Sequence, residues 1–453
     1  MGSDTSLQGR VVVVAGAGLA GLTAAYDLRR RGARVSVVEA RDRVGGRVWT
    51  MREGFCGGQH AEAGGDLIDS DQEAIRQVAK DLDLPLSPIL RGGFAFVRQG
   101  ARAPRMEPVS TTGGTWAELA QVAEPWVRAY RLSDRRWDGP IARRLADCSV
   151  AEWLDDIAAD GRLRARLNGL RGFFLADPEH LSLLALVDQL AMESPAADQS
   201  YRITGGNDRL ATALAGTLQE PIQLKTIVRA IAQRRGQVRV TVCGQGGQGH
   251  MTADAVVLAL PATMTRRIAF TPPLPALQQH AIRDLRYGPA TKTLLQFDRQ
   301  FWRQPGRTLA YGTDLPIGAI WDGNEEQRGR GGILTLLAGG SASHDTKQLL
   351  VQGGANAVAA RLKWLGATKA ILRGSYHVSW EDDPFVGGGY AVFQPGYDPA
   401  QRAWLARPHG RIVFAGEHTS LRWQGYMNGA VESGLRAALE VESALRRLKS
   451  RAQ

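Results

Sequence analysis

Apolar and polar positions follow two rhythms along this chain. Val11 to Val14 form an unbroken β-branched run, which predicts a buried strand. A glycine-rich turn follows. Leu22, Ala25, Tyr26 and Leu28 then recur at helical spacing as far as Gly32. Val35-Ser36-Val37-Val38 returns to strand character. The same order of strand, glycine loop and helix recurs at 411–437, RIVFAGEHTSLRWQGYMNGAVESGLRA. Between these ends, residues 71–84 place Ile75, Val78 and Leu82 on one helical face, with Asp69 or Ser70 as cap. Short apolar runs broken by proline and glycine at 85–110 predict a small β element.

Residues 115–200 have helical periodicity, and Trp116, Trp126, Trp137 and Trp153 read as its core. From Tyr201 the pattern reverts to a glycine turn and a helix. Two strands are predicted within 221–242 and a third within 251–264. Further strands are predicted at 287–302, 331–338 and 375–380, with a helix over 355–366.

Composition narrows the class. With 453 residues, two domains are the reasonable prior. The 53 glycines are scattered, which excludes collagen and signals many tight turns. No apolar run approaches the roughly 20 residues of a membrane span, and the N-terminus has no apolar leader core. Cys56, Cys148 and Cys243 are odd in number and far apart, so no metal site is expected and a reducing, cytoplasmic setting is the simplest reading. That reading leaves a removed export signal open. The net charge of +11 is spread as arginines along the whole chain without a basic run, so nucleic-acid binding is not expected.

The opening unit carries the first chemistry. Gly16, Gly18 and Gly21 stand at GxGxxG spacing between a strand and a helix, and Glu39 ends the second strand. Gly16 permits the turn, Gly18 lets a pyrophosphate approach the backbone, and Gly21 lets helix and strand pack. Leu19 and Ala20 open the helix, whose N-terminal N–H groups and dipole suit phosphate. Glu39 suits the ribose hydroxyls of NAD or FAD. The following residues, Ala40-Arg41 through Gly45-Gly46-Arg47, resemble the ExxxRxGGR motif of flavoproteins, which points to FAD.

With EAGGD at 62–66, Lys292, WEDDP at 380–384, AGEHTS at 415–420 and GYMNGAVESG at 425–434, the chain resembles the flavin-containing amine oxidases, a family that includes monoamine and polyamine oxidases. The resemblance implies an α/β, two-domain FAD-binding Rossmann-like (GR2-type) fold with a discontinuous mixed α+β substrate domain. It assigns 8–76, 203–273 and 383–446 to FAD binding, and 77–202 and 274–382 to substrate binding. It further implies that Glu39 binds the ribose, that Arg47 and Glu417 meet the pyrophosphate, and that Gly64, Gly65 and Asp66 lie against the flavin. Val228 would lie beside the adenine, although a plain buried valine is an equal reading. Gly416, Gly425, Tyr426 and Met427 would form a second helix N-terminus at the ring. Lys292 matches the lysine that holds a water near flavin N5, Trp380 packs beside the flavin, and Tyr390 and Tyr426 flank the substrate amine. A lysine in such a run is otherwise usually a solvated strand face.

The implied activity is oxidation of a small-molecule amine by O2. Hydride passes from the amine α-carbon to flavin N5, the imine hydrolyses to an aldehyde or ketone, and reoxidation yields hydrogen peroxide. Gly389 stands where monoamine oxidases carry a flavin-linking cysteine, so the FAD is expected to be non-covalent. Residues 64–76 lack the arginine-bearing stretch of L-amino acid oxidases, which favours a simple amine unless an arginine comes from elsewhere. An L-amino acid oxidase or aromatic amino-acid monooxygenase, a desaturase, and a non-catalytic flavin-binding interaction protein stay open as alternatives, as does homodimer formation.

Overall fold

The computed structural model describes residues 6–90, 93–100, 103–106, 114–192, 199–234 and 236–450, without the side chains of 114–117 and 448–450. Strand Val11–Ala15 sits inside a four-stranded parallel sheet, ordered Arg34–Val38, Val11–Ala15, Ala255–Leu258, Ile412–Phe414. Parallel strands covered on both faces need apolar residues at every position, which is why the valine run is continuous. Val12 and Val14 face one apolar layer with Leu22, Ala25 and Val441, while Val13 faces the other with Val256, Ile231 and Phe414.

Helices Leu19–Arg30 and Met427–Ser450 lie together on the first of these faces. Their approach depends on Gly434, where a Cβ would stand 2.4 Å from the Ala20 carbonyl oxygen. A second four-stranded sheet runs Gly247–Ala253, Gln237–Gly244, Ile227–Arg234, Ala269–Thr271. The single strand expected within 251–264 is therefore two, divided between two sheets. The break falls at Asp254, whose carboxylate accepts from the Val11 N–H and from Arg10 and so ties the new strand's start to the central sheet.

A seven-stranded sheet stands apart from these, ordered Leu372–Ser379, Ala290–Phe297, Gly332–Gly339, Ala319–Asp322, Ala310–Thr313, Phe94–Arg98, Arg105–Met106. All residues of Ala290–Phe297 are buried, Lys292 among them, because strands flank it on both sides and a helical layer covers the sheet. The expected solvated lysine face is thus absent.

Residues 114–192 are helical, with Trp137 and Trp153 buried and Trp126 half-buried against the same core. The expectation for the Trp116 side chain lies outside the described residues. The helix expected at 71–84 spans Glu73–Asp81 and starts at Gln72 without a side-chain cap. Asp69 is not available as a cap because its oxygens accept from Ser200 and Gln72 side chains. The helix expected at 355–366 begins earlier, as Ser341–Ala359 continued by a tight 3-10 turn Ala360–Leu365. Gly353 and Gly354 interrupt it with non-helical dihedrals and hide its first half from periodicity. Among the described residues no helix is long and apolar enough to cross a membrane, and all three cysteines are free.

Gly434→Val would force the two long helices apart. Overpacking of this kind costs about 1–3 kcal/mol. The expected outcome is a lower denaturant midpoint with an unchanged slope in equilibrium unfolding.

Candidate active site

The turn after Val11–Ala15 is built from close backbone approaches. Gly16 has φ +101° and a Cβ there would be 2.6 Å from the Ala259 oxygen. Gly21 packs still closer, since its Cβ would stand 1.9 Å from the Gly16 oxygen. Gly18 faces open space and is the N-cap of the first helix without any side-chain cap. The first N–H groups of that helix are therefore presented to the space in front, which suits an anion. Glu39 is buried, and its carboxylate accepts from the Ala17 and Arg41 N–H groups at 2.7 and 2.9 Å. That places a fixed acceptor at the end of the second strand, as a ribose would need.

The second glycine pair closes the other side. Gly45 donates to the Ala17 carbonyl, and Gly45 and Gly46 both have positive φ. Arg47 donates to Glu417 at 2.9 Å and to the Gly389 carbonyl at 2.6 Å. Glu417 in turn accepts from the Gly425 N–H, just before helix Met427–Ser450. Gly425 has no side chain where one would come 3.2 Å from the Tyr390 ring, so it makes room for that ring. The Tyr390 hydroxyl donates to the Phe173 carbonyl, and the Tyr426 hydroxyl to Gln189 at 3.0 Å. Both phenols are thus tied down at their polar ends. Trp380 is buried and donates to the Ala63 carbonyl.

Lys292 points from its strand to the glycine loop. Its Nζ donates to the Gly64 carbonyl and to Asp66, each at 2.9 Å, and lies 5.2 Å from the Trp321 ring centroid. Asp66 also accepts from Arg202 at 2.6 Å and from the Trp321 indole at 2.9 Å. Burial opposes the Asp66 charge, but Arg202 and Lys292 outweigh it and hold the carboxyl below its usual range. Burial pulls Lys292 below the ordinary lysine value, against the opposing pull of Asp66.

One cavity of about 1460 Å³ joins these pieces. It exceeds a typical small-ligand pocket of roughly 300–1,000 Å³ and has room for a dinucleotide together with a small molecule. Every residue named above as catalytic or cofactor-binding lines it except Gly21, including Leu19, Ala20, Ala40, Val228, Gly416 and Met427. Gly21 packs between helix and turn, behind the cavity wall. Val228 lines the cavity beside a bulge in its strand pairing. Arg41 lines the wall, but its guanidinium is held bidentate by Asp383.

Sequence reasoning missed Arg202, Trp321, Gln189 and Phe173. None carries a motif of its own, and only the fold brings each to the cavity or to a residue that lines it. The glycine cradle, the uncapped helix start and the buried acid fit a dinucleotide on chemistry alone.

The family model for flavin containing amine oxidoreductase matches residues 19–441. AofH of Mycobacterium tuberculosis, which carries the name of a flavin-containing monoamine oxidase, is 31% identical over 96% of this chain and 97% of its own. Human flavin-containing amine oxidase B is 26% identical, covering 96% of this chain and 86% of its own. Mouse L-amino-acid oxidase is 29% identical, over 98% and 72% respectively. Among solved structures, cyclohexylamine oxidase from Brevibacterium oxydans superposes with a TM-score of 0.84 at 25% identity, covering 97% of this chain and all of that one.

Behind the glycine loop, Glu62 is 1% exposed and accepts from Thr50 and the Asn207 N–H. Burial, then the nearby Asp66 charge, push its pKa from 4.5 up to about 7. A carboxyl raised in the folded state adds stability below its unfolded pKa and loses it as pH rises through the folded one. That corresponds to about 3 kcal/mol at most. The stability of Glu62→Gln relative to wild type is therefore expected to rise between pH 4.5 and 8, measured by urea unfolding at each pH.

Proposed function

The chain belongs to the flavin-containing amine oxidoreductase family and is a flavin-dependent amine oxidase; we propose that it binds FAD non-covalently and oxidises a small amine at the expense of O2. The observation that carries this reading is one continuous cavity running from the phosphate-type turn at Gly16 and Gly18 to Lys292, Trp380, Tyr390 and Tyr426.

Segments 8–76, 203–273 and 383–446 supply the strands of the two four-stranded sheets and would hold FAD, while 77–202 and 274–382 supply the seven-stranded sheet and the helical wall of the substrate end. Glu39 would take the adenosine ribose, with Val228 beside the adenine. Gly16, Gly18 and the helix start at Leu19-Ala20 would face the pyrophosphate from one side. Gly46 and Arg47 would close the other side, with Glu417 holding Arg47 in place. Gly64, Gly65, Asp66, Gly416, Gly425 and Met427 would bound the ring. When bound, the flavin supplies a two-electron acceptor that O2 can reoxidise with release of hydrogen peroxide.

The protein's part is positional. Tyr390 and Tyr426, fixed by their hydroxyl bonds, would present ring surfaces to the amine and exclude water around it. Desolvation there favours the neutral amine, whose lone pair the oxidation needs. Trp380 would wall the ring plane. Lys292 has donors to Gly64 and Asp66 and, among the described residues, no protein acceptor for its third N–H. That N–H would hold a water or stabilise charge developing on reduced oxygen.

A second reading, oxidation of an amino acid, has one observation behind it. Arg402 lines the cavity and is 2% exposed; its guanidinium lies 3.6 Å from the Trp137 ring centroid, and among the described residues its Nε and Nη1 have no hydrogen-bond partner. Its remaining nitrogen donates to the Ser420 and Leu421 carbonyls. The three free cysteines agree with a cytoplasmic setting.

A peroxide-coupled screen under air separates the readings. Peroxide with monoamines, and little with α-amino acids, is the expected outcome; the reverse preference would replace it with the amino-acid reading. Flavin reduced without peroxide would make the protein a dehydrogenase.

Non-covalent binding has its own support. No cysteine lines the cavity, and a Cβ at Gly389 would stand 2.5 Å from Leu175 and 2.8 Å from Ala290 side-chain atoms. Acid precipitation of the holoenzyme is expected to leave all the yellow chromophore in the supernatant. Chromophore retained on the washed polypeptide would contradict this.

A further inference from the structure

We propose that Asp66 is a positioning residue for Lys292: clamped by Arg202 and Trp321, its carboxylate fixes the ammonium against the Gly64 carbonyl so that the remaining N–H is directed into the cavity. The inference rests on the role proposed above for Lys292 and adds the device that makes that role available.

The geometry is specific. Lys292 comes from the seven-stranded sheet, Asp66 from the glycine loop, Arg202 from strand Ser200–Ile203 and Trp321 from strand Ala319–Asp322. Arg202 is itself held, with donors to Glu326 at 3.1 Å and to the Asp322 carbonyl at 3.0 Å. The Asp66 carboxylate is therefore oriented before Lys292 meets it. A lysine on a flexible four-carbon stem would otherwise sample several rotamers. With two N–H groups committed to acceptors on one side, the third has a single direction.

The same carboxylate governs the charge state. The charged groups acting on Lys292 are Asp66 and Glu62, which favour the ammonium, and Arg202, which opposes it, all against a background of burial. Asp66 is the larger favourable influence and makes direct contact. Removing its charge leaves Arg202 less compensated, and the lysine then loses its proton at lower pH.

Asp66→Asn keeps the shape and one acceptor oxygen while deleting the charge. Flavin content and the visible spectrum of the holoenzyme report whether the variant is loaded. In selectively ¹³Cε-lysine-labelled holoenzyme, with Lys292→Met to assign the resonance, the Lys292 titration is expected to move to lower pH in Asp66→Asn. An unmoved titration would overturn the proposal irrespective of any activity. In stopped flow, reoxidation of reduced enzyme by O2 is expected to slow by about tenfold near neutral pH, with its alkaline fall beginning at lower pH. Asp66→Asn placed on Lys292→Met is expected to add no further loss, because the carboxylate acts through the lysine. Additive losses would overturn the positioning role. If Lys292→Met alone leaves reoxidation intact, the proposed role of Lys292 falls; if Lys292→Met is slow and Asp66→Asn is not, only the Asp66 inference falls.

Discussion

The Asp66 carboxylate lies out of water and accepts from Arg202, Lys292 and Trp321 at once. A buried ion pair is a poor source of net stability, because desolvation takes back much of the Coulombic gain. Breaking one is another matter: removing a partner strands a charge in a low-dielectric interior, at a cost of about 3–5 kcal/mol. The carboxylate therefore acts as a constraint more than as a glue. It dictates where the glycine loop at 64–66 must sit relative to two strands of the seven-stranded sheet. The reactive end of the cavity takes its shape from that requirement, and Trp380, bonded to the neighbouring Ala63 carbonyl, follows the loop.

A second constraint, running from the first turn to the glycine loop, is steric. Gly16, Gly21, Gly45 and Gly64 each sit where a Cβ would approach a backbone oxygen to 2.6 Å or less. These approaches bring the first helix, the second glycine pair and the loop at 62–66 within reach of one ligand. They also leave an uncapped helix start facing the cavity. The high glycine content is thus partly spent on a phosphate-type cradle and partly on ordinary turns such as Gly9 and Gly54, which face open space.

Some of the arginines find a structural use in the same way. Arg41 is held by Asp383, Arg47 by Glu417, Arg202 by Asp66 and Glu326, and Arg303 by Asp322. Planar guanidinium groups suit such paired, partly buried positions better than lysine. These arginines join distant chain segments inside the molecule.

Much of the nucleotide-type unit was legible in residues 11–47, because a buried parallel strand, a glycine turn and a helix leave local signatures in adjacent positions. The glycine loop at 62–66, the lysine at 292 and the aromatic positions 380, 390 and 426 were legible through their resemblance to a family, with their roles inherited and their contacts unknown. The burial of Lys292 was not legible, since a lone lysine in a strand carries no mark of which neighbours will cover it. Arg202, Trp321 and Gln189 were silent for the same reason: their importance comes from pairings more than a hundred residues apart in sequence. Sequence by itself determined the local units, through periodicity, glycine placement and the acid after the second strand. Only the tertiary structure decided that Asp66 and Lys292 should meet, because a charge pair in the interior is set by which strands come together and how completely they exclude water.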